Sequence, residues 1–195
     1  MDKLYKPHFL SQLRARMQTE LAEFVPHKAP PVGHSLRDRF VGSKLYLKRL
    51  PSTRCVWLEW FPAEGVEREF FAYLGWSPSA DVLPTNEPGD RRVYELQGPV
   101  ADIPCGAINV QQAEGRQAIR GFVIATPWDQ LYALSPRVSE AERKRVMHKA
   151  HAEYLAVTDA ERIEAVRRAM NEAFASIQEV LPAFVSQLER LPSDA

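Results

Sequence analysis

The chain has 195 residues, 45% of them hydrophobic and 26% charged, with 25 Lys plus Arg balancing 25 Asp plus Glu. That is enough apolar material for one domain burying roughly 70% of its unfolded surface, which excludes wholesale disorder. The even charge balance excludes a global field that would gather nucleic acid or an anionic membrane, so either partner would need a local basic patch.

The opening MDKLYKPHFLSQL has an acid at Asp2 and lacks the apolar core of a signal peptide. No run approaches the ~18 apolar residues of a membrane span. Cys55 and Cys105 are far apart and belong to no C-x-x-C motif. The expectation is a cytoplasmic chain with two free thiols, no membrane partner and no cofactor.

Leu10, Leu13, Met17, Leu21 and Phe24 recur at helical spacing, predicting an N-terminal helix over 8–25, with Pro7 in its first turn and Pro26 as its stop. Residues 26–39 are rich in proline and predict an irregular connector. A sheet region over 40–125 follows. In its first strand Leu45 and Leu47 alternate with Lys44, Tyr46 and Lys48. A turn at Leu50–Thr53 leads to Arg54–Phe61, where Val56, Leu58 and Trp60 oppose Cys55, Trp57, Glu59 and Phe61. A second turn at Pro62–Gly65 leads to Arg68–Trp76, where Phe70, Ala72, Leu74 and Trp76 oppose Phe71, Tyr73 and Gly75. One face is almost wholly apolar and is read as core, with Leu45 and Leu47 assigned to it. The second face is expected to combine Tyr46, Lys48, Trp57, Glu59, Phe61, Phe71 and Tyr73.

Residues 77–90 read as a loop. Arg91–Leu96, Ala107–Gln111 and Gly121–Ala125 read as further strands. Thr126-Pro127-Trp128-Asp129 starts a short helix that ends near Leu134. Ser139–Glu142 and Thr158–Glu161 are capping boxes, so the helical region over 127–191 should hold two longer helices after it. In the last helix Ile163, Val166, Met170, Phe174, Ile177, Leu181, Phe184, Leu188 and Leu191 form the apolar stripe, and Pro182 should kink or divide it. The predicted fold is a single α+β domain over 1–195. Its antiparallel sheet has four to six strands, with the N-terminal helix and the C-terminal helical segment packed on it.

The sequence carries no assembled catalytic set and no metal-ligand motif. His148, His151 and Glu153 sit at helical spacing, but a third His or Cys ligand is absent and Arg143, Lys144, Arg145 and Lys149 repel a cation. Cys55 lies in a strand, where burial makes a thiol inert; Cys105 in IPCGA is the more reactive of the two but has no partner base. Arg143, Lys144, Arg145 and Lys149, with Arg167 and Arg168, form a candidate nucleic-acid-binding set. Their interleaving with Glu140, Glu142, Glu161, Glu164 and Glu172 is equally that of a salt-bridged solvent face. Asp81, Glu87, Asp90 and Glu95 flank the long loop, where acids are common because loops are exposed. Phosphate loops, dinucleotide turns and the G-x-S-x-G elbow are missing.

A magnitude singles out the second sheet face. Each aromatic there carries about 150–250 Å², so five left bare would exceed the roughly 300–600 Å² largest apolar patch of a typical monomer. Either a helix of this chain covers it, making three layers, or part of it stays open for a partner. Tyr46, Lys48, Trp57, Glu59, Phe71 and Tyr73 are the candidate partner-binding residues, since Tyr and Trp anchor interfaces.

The segment RDRFVGSKLYLKRL…WLEWFPAE…REFFAYLGWS, about forty residues over 37–77, resembles a strand pattern of uncharacterised small bacterial proteins of DUF4304 type. The resemblance implies no activity and no catalytic residue; it implies an accessory, immunity or defence-associated role. The expected function is therefore a non-enzymatic cytoplasmic binding protein that docks a protein partner through the aromatic face. The alternative is an enzyme or nucleic-acid effector using the 77–106 loop and the basic C-terminal helices.

Overall fold

The computed structural model of the chain describes residues 3–28, 43–63, 68–82, 106–115, 121–125 and 138–191. Helix α1 (Lys6–Glu20) has Pro7 in its first turn and buries Phe9, Leu13 and Met17 at i, i+4, i+8 spacing. It stops earlier than the predicted 25. Leu21 and Phe24 still reach the core, but through a turn closed by the Phe24 N–H on the Leu21 carbonyl at 2.9 Å. Val25–His27 then form strand β1 rather than the start of a connector. Pro26 lies in it without harm, because β1 ends the strand order and an outward missing N–H costs no ladder bond.

Strands β2 (Lys44–Arg49), β3 (Cys55–Pro62) and β4 (Arg68–Ser77) form the expected antiparallel meander, with β1 outside β2. The far edge is unusual. Strand β5 (Gly106–Asn109) pairs with Tyr73–Trp76, and β6 (Phe122–Ala125) pairs with Arg68–Phe70, both antiparallel to β4. They share one edge, interrupted by an excursion that opens with the single-turn helix α2 (Val110–Ala113). Asn109 turns the chain out: its Oδ1 accepts the Gln111 N–H at 2.9 Å. Among the described residues the sheet thus has six strands, the upper end of the predicted range.

Both predicted N-caps lie where expected, and at the second the box is complete. Ser139 Oγ accepts the Glu142 N–H at 3.2 Å and opens α3 (Glu140–Ala156). Thr158 and Glu161 cap each other reciprocally and open α4 (Asp159–Arg190). Helix α4 is continuous across Pro182, which neither ends nor divides it. Pro182 and Gln178 both face solvent, so the carbonyl that the proline leaves without a donor is on the side of the helix where water can replace it. At ~1.5 Å per residue α4 is about 48 Å long.

Helix α1 lies alongside α4 and runs in the same direction. His8 meets Asp159, Gln12 donates to the Ile163 carbonyl, Arg16 to Asn171, and Glu20 accepts from Gln178. Ile163, expected in the buried stripe, is instead 44% exposed on this flank. The other end of α4 is fixed by Arg54, which is only 9% exposed and donates from one guanidinium nitrogen to the Leu188 and Leu191 carbonyls at 2.9 and 2.7 Å. A cation there satisfies orphan carbonyls and meets the negative end of the helix dipole.

One continuous core joins both helices to a single sheet face. Trp60 stacks on Phe174 at 5.1 Å, Phe9 meets Phe70 at 4.9 Å, and Trp76 meets Phe184 edge-on at 5.9 Å. Helix α3 contributes little, burying only Ala150 and Tyr154, the latter stacked on Tyr5 at 6.0 Å. Among the described residues no helix reaches the other sheet face. The expected strand Arg91–Leu96, the helix after Thr126, and Glu87, Asp90, Glu95 and Cys105 lie outside the described residues, as does the 77–106 loop beyond Val82 and before Gly106.

Candidate partner-binding face

The register of β2 on β3 decides which side chains share the second face. The hairpin between them closes with the Leu50 N–H on the Arg54 carbonyl at 2.8 Å and the Thr53 N–H on the Leu50 carbonyl at 3.1 Å. Thr53 takes a left-handed φ of 70°, so Arg54 belongs to the turn and Arg49 pairs with Cys55. A turn ending at Thr53 would have paired Arg49 with Arg54 and placed Tyr46 opposite Trp57. The actual register is one residue longer, and a one-residue change moves a whole strand to the other face.

Tyr46 therefore pairs with Leu58 and Lys48 with Val56, on the helix-covered side, while Leu45 pairs with Glu59 and Leu47 with Trp57. This corrects the expected grouping: Tyr46 and Lys48 do not share a face with Trp57, Glu59, Phe71 and Tyr73. Tyr46 belongs to the main core, where burial pushes its hydroxyl pKa up and nearby Arg14 partly opposes the shift. Lys48 is half-buried and meets Glu23 at 3.6 Å.

The second face has a closed part and a more open part. Trp57 is 0% exposed and centres a small cluster with Leu45, Leu47, Cys55 and Ala80. Its indole N–H donates to Ser77 Oγ at 2.7 Å, and that hydroxyl donates to the Ser79 carbonyl at 2.7 Å. The His27 ring stands edge-on to the indole at 5.0 Å. Trp57 is thus a packed anchor rather than a presented side chain. Burial, the largest influence, pushes the Cys55 thiol pKa up, in keeping with an inert thiol.

Next to this cluster runs a row across four strands, Leu45, Glu59, Tyr73 and Asn109. Glu59 is 3% exposed and accepts from Ser43 Oγ at 2.8 Å. Glu69, in phase with Phe71 and Tyr73 on β4, is also buried and accepts the Gly121 N–H at 2.9 Å. Neither Glu69 nor Asn109 was singled out from the sequence; the available signal was that Glu69 alternates with Phe70 and falls on the Phe71–Tyr73 side. Beyond this row lie Phe61 and Phe71, half-buried like Tyr73 within it. Phe61 and Phe71 are cross-strand partners 6.4 Å apart, and Phe71 and Tyr73 lie 6.2 Å apart at 28°. Of the six predicted residues, the structure brings Phe71 and Tyr73 together at this ladder, with Glu59 beside them and Trp57 beneath the adjoining cluster.

The basic residues on α3 are exposed and largely compensated. Lys144 pairs with Glu140 at 2.9 Å, Arg145 with Glu142 at 2.6 Å and Lys149 with Glu153 at 3.7 Å; among the described residues no ion pair engages Arg143. Arg167 holds Glu164 through two bonds of 2.8 and 2.7 Å. These are the (i, i+3) and (i, i+4) pairs of a solvated helix. His148 and His151 are exposed on the same helix, and among the described residues no group of three or more His, Cys, Asp and Glu is placed to hold a metal ion. Among those residues, too, no helix is long and apolar enough to cross a membrane. No family model, curated protein or solved structure matches the chain.

Proposed function

We propose that this chain is a binding protein, of the accessory or immunity kind, that docks a protein partner through the ladder Phe61–Phe71–Tyr73. The observation carrying this reading is that three rings stand in a row, Phe71 in contact with Phe61 and with Tyr73, on the sheet face away from the helices while each remains half-buried. Aromatic rings on a strand scaffold lose little side-chain entropy on binding, which is why such positions serve as anchors. Beneath them, the Trp57–Ser77 cluster and the hydrogen-bonded Glu59 and Glu69 hold β3 and β4 in place. The proposed site accordingly leaves out Tyr46 and Lys48, which lie on the other face, and the buried Trp57 and Glu59, and gains Phe61.

Truncating an anchor aromatic costs ~2 kcal/mol of binding or more, about thirtyfold in Kd. The test is partner capture by Phe71→Ala and Tyr73→Ala, with Glu189→Ala on the exposed end of α4 as control. Weakened capture by the first two at unchanged urea midpoint supports the reading. Unchanged capture overturns it, as does loss specific to Arg143→Ala or Lys149→Ala in a nucleic-acid binding assay.

A further inference from the structure

A separate cleft of about 740 Å³ lies between β6 and the first turns of α4, and none of Phe61, Phe71 or Tyr73 lines it. Its walls are largely apolar: Tyr5, Val123, Val157, Ala160 and Ala165. Its size falls in the ~300–1,000 Å³ range of small-molecule sites. Three charged side chains also line it, and two are already committed. Glu161 closes the Thr158 capping box, where its charge meets the positive end of α4. Glu164 is held by Arg167 through two hydrogen bonds. Arg168 remains: it is exposed and lines the cleft, its charge helps Arg167 hold the Glu164 carboxyl below its usual range, and among the described residues it makes no hydrogen bond or ion pair.

We infer that this cleft binds a small amphipathic monoanion, a medium-length alkyl or aryl carboxylate, with the carboxylate on Arg168 and the apolar body against β6 and Ala160. An apolar trough with one cation that no hydrogen bond holds among the described residues favours that charge pattern over a neutral lipid or a dianion. The exposed ion pair adds little, so most of the affinity comes from the chain that enters the trough.

The test is calorimetric titration of the full chain with hexanoate, octanoate and decanoate below their micelle concentrations. Saturable one-to-one binding is expected, tightening about fourfold for each methylene that enters. Octanoate should bind about two- to fivefold tighter than 1-octanol, and Arg168→Gln should erase that preference while leaving octanol binding intact. Ala160→Trp, at an exposed position, should fill the trough and abolish both. Absence of saturable binding, affinity independent of chain length, equal binding of octanoate and octanol by the unaltered chain, or undiminished binding by a folded Ala160→Trp variant would each overturn the proposal.

Discussion

Trp57 is the residue on which a surface reading and a core reading of the second sheet face differ most. If it were presented to a partner, truncation would cost less than about 0.5 kcal/mol of stability, as at other exposed positions. The structure gives it no exposed area, an indole N–H bonded to Ser77 and an edge-on His27. Trp57→Ala should therefore cost about 3–5 kcal/mol, a third or more of the stability of a typical domain. A finer experiment isolates the hydrogen bond. Ser77→Ala strands a buried N–H and should cost about 1–3 kcal/mol. Trp57→Phe removes the donor and leaves a void of roughly 40 Å³, which at ~24 cal/mol per Å³ is about 1 kcal/mol beyond the lost transfer energy. In the Trp57→Phe background, Ser77→Ala no longer strands a donor and loses only the hydroxyl bond to the Ser79 carbonyl. The double variant should thus be more stable than the sum of the single changes by about 1 kcal/mol. Urea unfolding with unchanged m-values is the assay. Additivity within ~0.3 kcal/mol would refute the pairing.

Further outcomes follow from single contacts. Thr53→Asn should raise stability by about 1 kcal/mol, measured by urea midpoint, because a β-branched residue at φ 70° is strained and asparagine tolerates that region. Gly121→Ala should destabilise, because its new methyl would lie 2.5 Å from the Phe70 carbonyl oxygen, a backbone atom that cannot swing aside; a thermal midpoint at or above that of the unaltered chain would contradict this. Arg54→Met should cost about 1.5–3 kcal/mol, since it removes charged hydrogen bonds to the end of α4. Hydrogen exchange should then quicken at the C-terminal turns of that helix and not at its start. The Thr158 side-chain bond, and secondarily its backbone N–H, hold the Glu161 carboxyl below its usual range. A depressed carboxylate stabilises above its unfolded pKa, and that stability is lost as pH falls through the folded value. Fraying at the start of α4 should therefore appear on acidification, and Thr158→Ala, which removes the side-chain bond but keeps the backbone N–H, should weaken its pH dependence.

The helical part of this fold was legible because its signals are local. Ser139 and Thr158 each bond the third residue onward, so the sequence pattern and the contact are nearly the same thing. The strands of the meander were legible from alternation, which has a fixed period. The phase between strands was not. It depended on whether Arg54 ends the turn or begins the strand, and that in turn on Thr53 adopting a conformation that its side chain disfavours. Hence Tyr46 and Leu47 were assigned to each other's faces. Pro182 was read as a breaker because sequence shows the missing N–H but not which side of the helix carries it. The short β1 and the break between β5 and β6 depend on long-range pairing to β2 and β4, which Pro26 and Asn109 do not advertise. At the candidate site Phe71 and Tyr73 were found by alternation alone, whereas Glu69 became visible only once Gly121 was seen to donate to it.

The central claim is that the Phe61–Phe71–Tyr73 ladder meets a protein partner. Its most direct test replaces Phe71 with a photo-crosslinking phenylalanine analogue in the cells from which the chain comes, with the same analogue at Glu189 as control. The account predicts one discrete adduct, larger than the chain by the mass of a single protein, at position 71 and not at 189, and its loss on adding Tyr73→Ala. No adduct at 71, or the same adducts from both positions, would contradict it.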